Sequence, residues 1–129
     1  MNMSNYKYIF PKELIDNFDL IRIEEILTPK TNELSLLVVF KEKNIYQVKL
    51  GEQVEDYESK GFVSTVRVQD FPIRGRAVYL ELSKRAWRHK KKRTTVTNSY
   101  NIKADGSKIT KELSDFLKYT NQYQRRYNL

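Results

Sequence analysis

The chain has 129 residues, a formal charge of +8, 40% hydrophobic residues and no cysteine. That length predicts one domain, residues 1–129, around one modest core, and the missing cysteines exclude disulfides, Cys-ligated zinc and a Cys nucleophile. The longest apolar run, Leu36 to Phe40, is far too short to span a membrane, and the start lacks the apolar stretch of a signal peptide, so a cytoplasmic protein without a membrane partner is expected.

Pro11 can open a short helix over 12–18, with Leu14, Ile15 and Phe18 on one stripe. Residues 19–27 read as a strand in which Ile21, Ile23 and Leu27 alternate, although a continuing helix also fits; Ile favours the strand. The segment 28–32 is a turn. Leu34, Leu36, Val38 and Phe40 form one face of the next strand, and Leu37 and Val39 make its other face partly apolar. Residues 45–50 read as a further short strand. The segment 51–61, with Glu52, Glu55, Asp56 and Glu58, reads as an acidic surface loop; four carboxylates could hold a divalent ion, but their spacing matches no EF-hand.

A strand over 63–69 follows, and 70–75 is a tight connection in which Pro72 fixes φ and Gly75 is free to adopt positive φ. Val78, Leu80 and Leu82 mark one face of the strand 76–88. That face turns polar after Leu82, so Lys84 to Arg93 is expected to leave the core as a basic hairpin arm. Residues 94–103 return as a strand. Asp105-Gly106 makes a turn, and Ser107 or Thr110 caps a helix whose apolar face holds Leu113, Phe116 and Leu117. Residues 123–129 read as a frayed end or as a joint to another molecule.

Charge is distributed unevenly. Residues 1–70 carry a net −3 and residues 71–129 a net +11. Between positions 74 and 93 lie nine basic residues (Arg74, Arg76, Lys84, Arg85, Arg88, Lys90, Lys91, Lys92 and Arg93) against one acid, Glu81. Such a block repels itself in a compact chain and suits a polyanion, with nucleic acid the first candidate. Most of the acids belong to the other half of the sequence and are expected away from the arm. Lys and Arg would neutralise phosphates, and the arginines offer the bidentate geometry that guanine edges accept. Trp87 would either stack on a base or fold back into the core. His89, the only histidine, has no second ligand for zinc and no nucleophile pattern around it. No phosphate loop, dinucleotide fingerprint or zinc-protease motif is present, so no catalysis, metal or cofactor is expected.

The segments Glu58-Ser59-Lys60-Gly61-Phe62, Val66 through Gln69-Asp70-Phe71-Pro72-Ile73-Arg74-Gly75 to Leu80, and Arg85-Ala86-Trp87 resemble the N-terminal region protein of ISAon-type bacterial insertion-sequence transposases. Pro11-Lys12-Glu13-Leu14 with Phe18 is similar to the opening helix of those proteins, and Lys111-Glu112-Leu113 with Phe116-Leu117-Lys118 to their closing one. The resemblance implies a split transposase in which this piece engages transposon DNA and a separate subunit carries an Asp-Asp-Glu catalytic domain. Related transposases place a zinc ribbon after the corresponding basic strand, which a chain without cysteine cannot build.

The expectation is therefore an α+β domain: a mainly antiparallel sheet of about five strands with short helices near both ends, one face buried against the C-terminal helix. Its expected function is non-catalytic DNA binding through Arg74, Arg76, Lys84, Arg85, Trp87, Arg88, Lys90, Lys91, Lys92 and Arg93. Two alternatives stay open. One is a protein-interaction module whose tail (Tyr119, Tyr123, Arg125, Arg126, Tyr127) docks the catalytic subunit; the other is a general RNA-binding domain.

Overall fold

A computed structural model describes residues 8–28, 30–104 and 108–127, the last seven of them as backbone. Helix α1 (Lys12–Asn17) leads into β1 (Phe18–Leu27) and β2 (Leu34–Glu42). A single 3-10 turn, Val54–Asp56, precedes the long strands β3 (Tyr57–Ile73) and β4 (Arg76–His89). The short strand β5 (Thr95–Val96) and helix α2 (Lys111–Tyr127) complete the α+β fold. The five strands form one mixed sheet in the order β1-β2-β4-β3. β1/β2, β3/β4 and β4/β5 are antiparallel, and β2/β4, at the centre, is parallel. β2 borders β4 from Val78 to Ser83, and β5 continues that same border at Trp87 and Arg88.

The core lies on one face of the sheet. Val38 and Phe40 of β2, Val78, Leu80 and Leu82 of β4, and Val68 of β3 are buried there, as strand alternation predicts. What covers them differs from expectation. Phe10, Leu14 and Phe18 from the α1 region and Ile102 from the segment after β5 close the core. Helix α2 buries Leu113, but Phe116 is 53% exposed and meets only the end of β3, edge-on to Phe71. Its N-terminus is anchored by Thr110, whose Oγ1 accepts the Leu113 N–H and donates to buried Asp70. Ser107, the other expected cap, and the Asp105-Gly106 turn lie outside the described residues.

Three strand boundaries need correction. A bulge at Ile21 shifts the β1 register, so Leu20 and Ile23, not Ile21 and Ile23, face the core. Residues 45–50 form no strand; Tyr46 is buried there, and the Gln47 N–H donates to the Asn98 side chain instead of to a neighbouring strand. Of residues 94–103 only Thr95 and Val96 pair as a strand; beyond them the Arg85 N–H is taken by the Glu42 side chain, and from Ser83 back β4 is bordered by β2.

β3 also exceeds its expected ends. It begins at Tyr57, with Gly61 (φ +82°) inside it at a bulge, and runs on through Pro72, which its place at the sheet edge tolerates. The turn to β4 is therefore only Arg74-Gly75, both at positive φ (50° and 75°), the two-residue hairpin geometry that matches strand twist.

Candidate nucleic-acid interface

β4 positions every basic residue singled out above, and its length decides which of them can act together. Thirteen steps separate Arg76 from His89, about 40 Å along an extended strand. Arg74 and Arg76, at the hairpin turn, are therefore remote from Lys90–Arg93 at the opposite end. Arg76 is also engaged, 3.1 Å from Glu25 of β1.

The basic arm does not leave the sheet after Leu82. β4 stays paired with β3 as far as His89, and its side chains there are held. Arg85 donates its backbone N–H to Glu42 Oε1 and its Nε–H to the Glu42 carbonyl, both at 2.8 Å. Trp87 is 3% exposed, packs against Tyr46 and donates Nε1–H to Asn44 Oδ1 at 3.0 Å. Its ring is a core element and offers no face to a base. Arg88 is half-buried and pairs with Glu58 at 3.2 Å, while its Nε is buried without a partner.

Only residues 90–93 project. The turn is built from both sides: the His89 N–H donates to the Thr94 carbonyl and the Arg93 N–H to the His89 carbonyl, both at 2.9 Å. The His89 Nδ1 accepts the N–H groups of Lys91 and Lys92 at 3.2 and 3.1 Å, which requires a ring whose Nδ1 carries no proton. Arg93 closes the turn at φ +62°. Lys90, Lys91 and Lys92 are exposed and form no ion pair among the described residues.

The expected separation of acids from the arm does not hold. The Lys90 N–H donates to the Asp56 carbonyl at 2.8 Å, and Glu58 faces both Arg88 and, at 4.0 Å, Arg93. The β3/β4 pairing, with Tyr57 opposite His89 and Glu58 opposite Arg88, brings the segment 52–58 alongside the turn. Glu58 thus already offsets part of the charge of Arg88 and Arg93, and the three lysines carry the free charge.

Other features are invisible in the charge pattern. Glu42 is 2% exposed and accepts the Arg85 N–H, Asn98 Nδ2 at 3.0 Å and the Tyr100 hydroxyl. Burial, reinforced by the hydrogen bond to Glu42, pushes the Tyr100 hydroxyl far above the ordinary tyrosine range. This network fixes the end of β2 against β4 and sets the Arg85 backbone. On the sheet face opposite the core, the Arg85 guanidinium lies 4.2 Å from the centre of the Phe62 ring and Lys41 Nζ lies 5.6 Å from it. Period-two reading of β2 and β4 gives the outward direction of Lys41 and Arg85, but only the β3 bulges bring Phe62 opposite Arg85.

Lys84 faces the other way, beside Phe18, Leu82 and Tyr100. No group of three His, Asp or Glu able to hold a metal occurs among the described residues, and no helix there is long and apolar enough to cross a membrane. No protein-family model, curated protein or solved structure matches this chain.

Proposed function

We propose that the chain is a non-catalytic DNA-binding domain acting as the N-terminal part of a split bacterial transposase. The observation that carries this reading is the preorganised turn at Lys90, Lys91 and Lys92, three exposed cations that form no ion pair among the described residues, on a loop braced by the His89 ring. Ordering before binding lowers the entropy that phosphate contact would otherwise cost. Lys90–Lys92 would hold the backbone, with Arg85 of β4 and Lys41 of the neighbouring β2 supplying further charge and Trp87 anchoring the strand from inside. The resemblance of residues 58–87 to the ISAon-type N-terminal region supplies the DNA in question, the ends of an insertion sequence.

The test is a fluorescence-anisotropy titration with labelled end duplex beside scrambled duplex at two salt concentrations. Preference for the end sequence supports terminus recognition. Equal, salt-sensitive binding reduces the domain to a general clamp, and absence of binding at low salt by the folded chain refutes the reading.

One observation favours a second reading. Phe116, Leu117 and Tyr119 of α2 are 53%, 45% and 68% exposed, an apolar patch that a catalytic subunit could cover. Pull-down of the Asp-Asp-Glu subunit, abolished by Phe116→Ser with Leu117→Ser, would support it. Tighter binding to a matched RNA hairpin than to DNA would move the reading to RNA.

A further inference from the structure

The outward face of the sheet combines an exposed aromatic ring with two cations that form no ion pair among the described residues, Lys41 and Arg85, the latter anchored by its Nε–H on the Glu42 carbonyl. Phe62 is 43% exposed although it sits in the middle of a strand. Arg85 and Lys41 lie over the ring, so a base would stack on the face they leave open, and neither has a carboxylate within ion-pair distance among the described residues. Two other cations on the sheet are paired, Arg67 with Glu81 and Arg22 with Glu24, and Asp19 stands opposite Lys41 in the strand register without an ion pair among the described residues. The neighbouring positions carry hydroxyls, Thr65 and Ser83, 3.3 Å apart. An exposed aromatic ring beside two cations without ion-pair partners complements a planar base attached to phosphates.

A duplex cannot present a base face to Phe62, because its bases are stacked on one another. We propose that Phe62 stacks on an unpaired base of a DNA strand while Lys41 and Arg85 hold the adjoining phosphates. Lys90–Lys92 lie beyond the end of β4, about 17 Å from Arg85 along the chain direction, and engage phosphates further along the same strand. This inference rests on the DNA-binding reading and narrows it: the preferred form is single-stranded or locally opened DNA, not uninterrupted duplex. Trp87, which the sequence offers as the stacking residue, is inside the fold, and Phe62, next to the bulge-forming Gly61, takes that place.

The experiment compares three labelled ligands of equal length on the full chain: a thymidine oligomer, the same phosphate chain lacking bases, and a matched duplex. The expected order of affinity is thymidine strand, then duplex and abasic chain. Phe62→Ala is expected to weaken the thymidine strand by roughly tenfold or more, the range for loss of one aromatic stack, and to leave the abasic chain unchanged. Phe62→Trp should retain binding. The emission of Trp87, the sole tryptophan of the natural chain, reports whether Phe62→Ala remains folded. Equal affinity for thymidine and abasic strands, or no effect of Phe62→Ala, would overturn base stacking while leaving phosphate binding in place. Absence of binding to any of the three would remove the DNA-binding reading itself.

Discussion

Replacing Lys90, Lys91 and Lys92 together by Ala tests the proposed phosphate contact directly. All three are exposed and form no ion pair among the described residues, whereas Arg88 and Arg93 already face Glu58 and Arg76 faces Glu25. If each lysine neutralises one duplex phosphate, the three contribute about −2.7 to the slope of log K against log salt, at about −0.9 per phosphate. Over a rise from about 50 to 200 mM salt that contribution alone is a loss of affinity of roughly 40-fold. The charge count of the sequence, with about five phosphates, would put the whole slope near −4 to −5; the ion pairs place the largest single share on this turn. Anisotropy titrations at four or five salt concentrations would give both slopes. The triple variant is expected to be flatter than the natural chain by about 2.7 and equally stable, since the turn is held by backbone groups and by His89. A variant with an unchanged slope would show that the lysines touch no phosphate and would refute the reasoning.

Three further outcomes follow from the geometry. Glu42→Leu leaves the Arg85 N–H and the Tyr100 hydroxyl without their acceptor in the interior, and a loss of about 2–4 kcal/mol is expected in urea unfolding; a neutral result would mean that the network contributes nothing to stability. Asp70 is buried, and burial raises its pKa above the ordinary Asp value against the opposing hydrogen bonds from Thr110 and the Phe71 backbone. The native state therefore holds the proton to higher pH than the unfolded chain. Its contribution to stability falls as pH rises from the ordinary value through the raised one and is level above that. Asp70→Asn, which keeps an acceptor for Thr110, should remove that decline in melting temperature measured across the acid range; an unchanged profile would assign the decline elsewhere. Finally, Arg74 occupies a left-handed backbone position that Asn tolerates better. Arg74→Asn should raise stability by a few tenths of a kcal/mol in thermal unfolding, and destabilisation would contradict the assigned turn geometry.

Much of the fold is legible in the residues because period-two patterning and turn chemistry act locally. Val78, Leu80 and Leu82, and Val38 and Phe40, announce the core face, and Gly75 announces the turn. The bulges at Ile21 and Gly61 are not legible, since each inverts the facing of later residues without changing composition. The segments 45–50 and 97–103 have strand-like residues, but the Asn98 side chain ties them together at the Gln47 N–H and the Ile45 carbonyl, and the border of β4 ahead of 97–103 is taken by Glu42 and then β2. The site is legible in part. The lysine turn stands out as charge, yet the ion pairs that withdraw Arg76, Arg88 and Arg93 depend on cross-strand register. Phe62 carries no charge signal, and the core role of Trp87 depends on Tyr46 and Asn44, more than forty residues earlier in the chain.

The parallel pairing of β2 with β4 has a kinetic consequence. β3 and β4 are joined by a two-residue turn, and their pairing can zip from Ile73/Arg76 outward at little loop-closure cost. Docking β2 onto β4 joins positions about forty residues apart, Val38 with Leu80 among them, and must close the whole intervening loop. The hairpin is thus expected to assemble first, with the lysine turn and Phe62 already on it, and the core to be completed when β1 and β2 arrive. Pulsed hydrogen exchange during refolding would reveal that order as protection of the β3 and β4 amides ahead of those of β2, and simultaneous protection would deny it.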